Sequence, residues 1–323
     1  MSRQDAAALL DLNECIDAVE RAFANHAAGA LPVAPSVLGA HVDGGGFHVK
    51  TAALGSAPGY FAAKINANFP SNFARHGLPT IQGVIALFDL ATGKPLALLD
   101  SIEITILRTA AASAVAARYL ARADSHVVTI CGCGEQGRSH LRALALVRSI
   151  SRAFAIDVDS ERAVSFANDL GSELGISIIP NAPLTTAVAA SDICVTCTPA
   201  RRPFFSAELL RPGLFIAAVG ADSPEKQELE PAVLARSKVV VDLLQQAATI
   251  GELHHAIENG VMSAADVHAE LGEIIGGRRA GRLSADETFV FDSTGTALQD
   301  VAAAAIVYER ALRAGRGTAI ELT

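Results

Sequence analysis

The chain has 323 residues, 26 Lys and Arg against 34 Asp and Glu, a formal net charge of −8, and half of its residues are hydrophobic. That apolar share over this length supports a core in one large or two ordinary domains and excludes a disordered chain. An acidic chain without a basic run lacks the footprint for nucleic acid or anionic membrane, and its apolar stretches fall short of the ~18–20 residues that a bilayer needs. The start, MSRQDAAALLDLNE, has no positive flank before an apolar core and so is not expected to be a signal peptide. The expectation is a soluble, cytoplasmic protein with no nucleic-acid or membrane partner.

From about Asp11 to Ala28, Leu12, Cys15, Ile16, Val19, Ala22 and Phe23 recur at helical spacing. From about Ser36 to Ser101 the pattern becomes strands: FHVKTAAL after three glycines, GYFAAKINANF after a Pro-Gly break, then GVIALFD and KPLALLD flanking a hairpin at Leu90–Gly93. Strands without intervening helices predict an antiparallel or mixed sheet. The Ala-rich run EITILRTAAASAVAARYLAR predicts a helix over 103–122, because Ala is the best helix former. Strand and helix then alternate from HVVTICGCG through RAFAID, SIIP, SDICVTCTP, LFIAAVGAD and SKVVVD to ETFVFDS, which predicts a doubly wound parallel sheet, followed by a last long helix.

Five cysteines over this length make no disulfide framework. Cys194 and Cys197 form a CxxC inside what reads as a buried strand, so they are expected to be apolar filling, not redox chemistry. Cys131 and Cys133 have no partner pair at zinc-ligand spacing, and the adjacent His254 and His255 are expected to project from different sides of a helix. No metal site is predicted.

The run Gly132-Cys-Gly134-Glu-Gln-Gly137 follows the apolar strand Val127–Ile130 and opens a helical pattern. In this G-x-G-x-x-G spacing the first glycine makes a tight turn, the second lets backbone approach a pyrophosphate, and the third packs helix against strand. The helix N-terminus adds free N–H groups for phosphate. Asp157 ends the next strand, where an acid accepts hydrogen bonds from the adenosine ribose. A carboxylate there repels a 2′-phosphate, so NAD(H) is favoured and NADP(H) kept as the alternative. Asp159 is the nearby candidate for an ordinary turn acid.

Three charged residues stand in apolar contexts. Lys64 in FAAKIN must snorkel or find a partner; the alternative is a strand-end surface lysine. Arg108 in ILRTAA suits a bidentate clamp on a carboxylate or, equally, an inter-helix salt bridge. Asp222 follows the strand LFIAAVGA at the edge where parallel sheets bind ligands, or else caps a helix or turn.

Beyond these local signals, LPTIQGV, LATGKPLALLDSIEITILRTAAASAVAARYLAR, VVTICGCGEQGRSHLRAL, ICVTCTP, AAVGADSPEKQELEP, IGELHHAIENG and FDSTGTALQD occur in the order that resembles the ornithine cyclodeaminase/mu-crystallin family. The resemblance runs from about residue 60 almost to the C-terminus. It implies an α/β fold in which a Rossmann-type domain, 118–295, is inserted into an N-terminal α/β domain, 1–117, completed by 296–323 and used for homodimerisation. By resemblance, Lys64 contacts substrate, Arg108 holds its carboxylate beside the cofactor, and Asp222 exchanges protons with it. Thr80, Gly132, Gly134, Glu135, Gln136, Gly137, Asp157, Thr198, Val219, Gly220 and Ala221 match cofactor contacts, and Ser293 and Thr294 a loop near nicotinamide and substrate.

One departure from the family pattern stands out: many members carry an Arg shortly after a proline where this chain has Ala34-Pro35-Ser36. Lys50 is the suggested replacement cation; otherwise it is a solvent-facing strand lysine. Together with HVKTA, SIEIT and ICGCG, this favours the Δ1-pyrroline-2-carboxylate (ketimine) reductase-like branch. The expected activity is NAD(P)H-dependent reduction of a small cyclic α-imino acid to L-proline. Ornithine cyclodeamination, alanine dehydrogenation and a non-catalytic binding role are the alternatives.

Overall fold

The computed structural model describes residues 1–31, 33–55 and 58–321, with His41 described by its backbone alone. The chain divides into two compact units, Met1–Arg108 with Thr296–Thr323, and Thr109–Gly295.

The first unit opens with helices α1 (Arg3–Leu9) and α2 (Leu12–Ala27). The short α1 was not expected from the sequence because it carries little periodicity; a Ser2/Asp5 capping box holds its start. In α2 the expected face of Cys15, Ile16, Val19, Ala22 and Phe23 is buried. Strands β1 (Ser36–Val42), β2 (Gly45–Leu54), β3 (Tyr60–Asn68), β4 (Ile81–Asp89) and β5 (Pro95–Asp100) form an antiparallel meander in chain order, with the short α3 (Asn72–His76) between β3 and β4. The last helix, Ala297–Ala314, packs on β2, β3, β4 and α2. Its buried residues are mostly Ala and Val, small enough for close approach to a sheet.

Alternation along the strands sorts the two sheet faces. Lys64, Ile85 and Leu99 align across β3, β4 and β5 and are buried. One step along, Ile65 and Val84 face the other way and are 43% and 45% exposed. Helix α4 (Ile102–Leu120) starts where the Asp100 carboxylate accepts from the Ile102 N–H. The division between units falls inside α4, after Arg108, where residue 117 was expected. A continuous helix carries no local signal for where its contacts change sides.

The second unit is an eight-stranded sheet whose neighbours all run parallel, as expected for a doubly wound fold. Its strands are β6 (Val127–Cys131), β7 (Arg152–Ile156), β8 (Ser177–Pro180), β9 (Ile193–Thr196), β10 (Phe215–Ala218), β11 (Lys238–Val241), β12 (Ala269–Glu270) and β13 (Phe289–Asp292). They lie in the order β12-β11-β13-β10-β9-β6-β7-β8. The connecting helices are α5 (Glu135–Val147), α6 (Ser160–Leu174), α7 (Leu184–Ala190), α8 (Pro231–Ala235), α9 (Leu244–Ala247), α10 (Glu252–Glu258) and α11 (Leu271–Ile275). The fold is thus a Rossmann-type sheet inserted into an α/β unit that the last helix completes. From β6 the chain goes to β7 and β8 on one side, then returns to β9 and β10 on the other. This is the topological switch at which open α/β sheets bind ligands.

Candidate active site

In the second unit the strand register lines up the ends of five strands: Ile156, Cys131, Thr196, Ala218 and Asp292 form one row across β7, β6, β9, β10 and β13. The residues that follow this row are Asp157, Gly132, Thr198, the run Val219–Asp222, and Ser293–Thr294. The second-unit residues singled out from sequence therefore leave one edge of the sheet.

The glycine loop is a tight turn whose glycines have distinct surroundings. Gly132 has φ +102°, which side-chain-bearing residues rarely adopt. A Cβ on Gly137 would overlap the Gly132 carbonyl oxygen, whereas a Cβ on Gly134 would meet open space. Gly134 caps α5, leaving Glu135 exposed and Gln136 half-buried in its first turn. The Asp157 carboxylate braces this loop: Oδ2 accepts from the Cys133 N–H at 2.8 Å and Oδ1 from the Asp159 N–H at 3.0 Å. Asp159 is the N-cap of α6, the turn acid of the pair. Arg162, which carried no signal in the sequence, reaches back to 3.6 Å from Asp157 and 3.4 Å from Asp159.

Two buried carboxylates not picked out from sequence organise the neighbouring loops. Glu228 accepts from the Thr198 N–H at 2.6 Å, the Thr198 hydroxyl at 2.7 Å and the Gly220 N–H at 2.8 Å. Its burial pushes the carboxyl above the usual range, while these hydrogen bonds oppose the shift. Asp242 accepts from the Thr294 hydroxyl and the Gly295 N–H, both at 2.7 Å. The Thr294 hydroxyl also accepts from Gln246. Ser293, 3% exposed, has a hydroxyl without a hydrogen bond among the described residues. Val219 and Ala221 are buried, whereas Asp222 is exposed, pairs with Lys226 at 2.6 Å and stands before a turn, not a helix.

The first unit holds a buried cation cluster. Lys64, on β3, is 3% exposed, so the surface-lysine alternative fails. Its Nζ lies 2.8 Å from Asp300 Oδ1 and 2.7 Å from Oδ2. Arg108 donates Nε to the same Oδ1 at 2.8 Å and Nη1 to Gln299 Oε1 at 2.6 Å. The inter-helix salt bridge weighed for Arg108 is therefore present, and it holds the guanidinium among cations. Lys50 pairs with Lys64 across β2 and β3 and is 9% exposed, which overturns the solvent-facing alternative. Burial, then the Arg108 charge, pulls Lys64 down to about 7 against the opposing pull of Asp300. The Asp300 carboxyl sits below the usual range because Arg108 and Lys64 outweigh its desolvation.

Thr80, also in the first unit, is exposed just before β4. At the position of the missing arginine, the Ser36 hydroxyl hydrogen-bonds that of Thr51 at 2.7 Å. Cys194 lies in β9 and Cys197 just past it, both as free thiols that burial pushes up. The two histidines require a correction: on α10 the His254 and His255 rings tilt toward one another, centroids 5.1 Å apart. With Glu258 they bring ligand-capable atoms within 4.8 Å. Consecutive helical side chains diverge at Cβ, but imidazole is long enough to lean back.

The model of the ornithine cyclodeaminase/mu-crystallin family matches residues 1–315. An archaeal alanine dehydrogenase dimer solved with bound NAD is 38% identical, with a TM-score of 0.95 over all of this chain and 98% of that one. Δ1-pyrroline-2-carboxylate reductase from Thermococcus litoralis, solved with NADH and L-proline, is 34% identical with a TM-score of 0.93 over 99% of both chains. The Bacillus cereus Δ1-pyrroline-2-carboxylate reductase is 39% identical over 247 residues, 76% of each protein. The chain belongs to the ornithine cyclodeaminase/mu-crystallin family.

Proposed function

We propose that this chain is a nicotinamide-dependent reductase of small α-imino acids that converts Δ1-pyrroline-2-carboxylate to L-proline. The buried Lys64–Asp300–Arg108 cluster carries the reading. Two cations, Lys64 and Arg108, share one carboxylate, so the pair keeps a positive excess that an anionic substrate compensates. Arg108 holds the substrate carboxylate. A lysine titrating at about 7 can give a proton near neutral pH, and Lys64 gives it to the imine nitrogen. Asp222, exposed and tethered to Lys226, exchanges protons with solvent.

Gly132, Gly134 and Gly137 shape the cradle for the dinucleotide pyrophosphate, and Asp157 faces its adenosine ribose. The likeness to structures holding NAD or NADH supports this cofactor for the chain. When bound in reduced form, the dinucleotide supplies hydride to the imine carbon. The balance is imine plus proton plus hydride giving amine.

A second reading, alanine dehydrogenation, draws on the TM-score of 0.95 to the archaeal enzyme, and it uses the same residues on an acyclic imine. Purified protein with NADH and either the cyclic imine or pyruvate plus ammonium, followed at the NADH absorbance band, and with NAD+ and ornithine, followed by ammonia release, separates the readings. Consumption with the cyclic imine supports the reductase; consumption only with pyruvate plus ammonium supports the dehydrogenase. Ammonia release from ornithine without NADH consumption overturns both in favour of a cyclodeaminase.

We further propose a homodimer through the outer face of the antiparallel sheet. Leu38, Val49, Ile65 and Val84 align there across four strands, with Leu38 68% exposed. An aligned apolar row open to water marks an interaction surface.

A further inference from the structure

The α-imino acid reading uses Asp300 only as the shared counter-ion of Lys64 and Arg108 and gives no role to its neighbour Gln299, both buried at the start of the last helix. Gln299 is fully buried and Asp300 is 1% exposed. Between them they take two of the three nitrogens of the Arg108 guanidinium, Nη1 through Gln299 Oε1 and Nε through Asp300 Oδ1. Because Arg108 only donates, the Gln299 oxygen must face it, and the amide nitrogen of Gln299 has no partner among the described residues. No hydrogen bond of Arg108 Nη2 is found among the described residues. We propose that Gln299 and Asp300 are a positioning pair: together they fix the rotation of Arg108 so that its Nη2 edge is kept for the substrate carboxylate, and Asp300 alone keeps Lys64 charged beside it as the proton donor.

The argument is one of shape and charge. A guanidinium clamped on two edges presents its third in a single orientation, which lowers the ordering cost of binding a planar carboxylate. The groups facing Lys64 are Arg108 from α4, Lys50 from β2 and Asp300 from the last helix, with the Cys15 thiol of α2 held neutral by burial beside the same charges. Asp300 is the anion that pairs with both Lys64 and Arg108. Without it, the nearby Arg108 and Lys50 charges would act unopposed by Asp300, and Lys64, already lowered to about 7, would lose its proton more readily. The two residues therefore have separable effects, Gln299 on substrate affinity and Asp300 on the protonation of Lys64.

The inference rests on the imino-acid reading, so its first test is independent of substrate. The chain has five lysines, Lys50, Lys64, Lys94, Lys226 and Lys238, few enough for protein labelled with 13C-lysine to give resolvable Cε resonances. The Lys64 resonance is identified by its loss in Lys64→Arg. Its titration midpoint is expected to fall by about one unit or more in Asp300→Asn, which keeps the shape but not the charge, and to return toward wild type in Asp300→Glu. An unchanged midpoint in folded Asp300→Asn overturns the role of Asp300.

If Asp300→Asn does not fold, Gln299→Leu tests the other half. It is expected to raise the KM for the cyclic imine about fivefold or more with kcat held within about twofold. NADH affinity, measured by fluorescence, is expected to stay unchanged. Equal losses in kcat and kcat/KM, or no change in KM, would overturn the clamp. Failure of the reductase reading is distinguishable, because it shows as wild-type protein that consumes no NADH while Lys64 still titrates.

Discussion

Glu228 and Thr198 are joined twice, backbone N–H and hydroxyl both donating to one carboxylate oxygen, while the other oxygen takes the Gly220 N–H. This single carboxylate ties the loop after β9 to the loop after β10, both at the edge proposed for the dinucleotide. Replacing Glu228 with Ala removes the acceptor for three donors in a fully buried setting and is expected to cost about 2–4 kcal/mol of stability. Glu228→Gln keeps the volume but turns an amide N–H toward a backbone N–H. It is expected to weaken NADH binding about fivefold to tenfold with a smaller loss of stability. Fluorescence titration with NADH and denaturant unfolding check the two effects; unchanged NADH binding in a folded variant would refute the assignment.

At the proposed adenosine end, Asp157 and Arg162 are expected to set opposing preferences. The carboxylate repels a 2′-phosphate, while a half-exposed guanidinium 3.6 Å away can pair with one. Asp157→Ser is therefore expected to raise the NADPH-to-NADH ratio of kcat/KM, and Arg162→Ala to lower it, each by about tenfold. Ratios that stay at the wild-type value in both variants would remove this region from cofactor selection.

What was legible in the sequence depended on how local each signal was. The glycine loop, its strand and Asp157 lie within one βαβ unit, so spacing alone located them. Lys64 and Arg108 were conspicuous as charges in apolar contexts, but their common partner was not. Asp300 lies 236 residues from Lys64 and 192 from Arg108. The available signal was the pair Gln299-Asp300 at the start of a helix whose next residues are VAAAAIV, since polar groups on an apolar helix face imply buried partners. Glu228 was hidden for the same reason: in QELEPAVL nothing distinguishes a buried glutamate from an exposed one. Arg162 was missed because it comes back toward Asp157 from the first turn of α6.

The second unit also buries acids that titrate out of their ordinary range. Burial pushes Asp292 up to about 7, while the Leu253 N–H on Oδ2 pulls the other way. Glu228 and Glu252 shift upward too, again through burial. For a carboxyl raised from 3.8, the folded chain keeps a proton between about pH 4 and 7 that the unfolded chain has released. Its contribution to stability is full below that window and is lost as pH rises through it. Asp292→Asn, which cannot ionise, is expected to show a smaller fall in Tm between about pH 4 and 7 than wild type. Parallel Tm curves for the two proteins would show that Asp292 is not a source of the pH dependence.

For the proposed dimer, Ile65 is the informative position because it sits mid-row on the outer face while its neighbour Lys64 points to the buried one. Ile65→Asp places a charge where the interface would be dry and leaves the helix-covered face untouched. Sedimentation at micromolar concentration is expected to shift from dimer toward monomer, with secondary structure by circular dichroism unchanged. A variant that remains dimeric would put the interface elsewhere.

Asp222 is the residue on which the proton route is most exposed to test. It lies four residues past the end of β10, its carboxylate half-exposed and held by Lys226, whose own carbonyl hydrogen-bonds His255. An acid that relays protons between the reaction and solvent needs this combination of fixed position and water contact, whereas a purely structural ion pair would tolerate a neutral isostere. Surface ion pairs contribute little to stability, so Asp222→Asn is expected to fold and to bind NADH within about twofold of wild type. Its turnover of the preferred imine is expected to fall about 100-fold or more, the scale on which general acid–base groups act. Full turnover with intact NADH binding would leave the proton route to Lys64 alone.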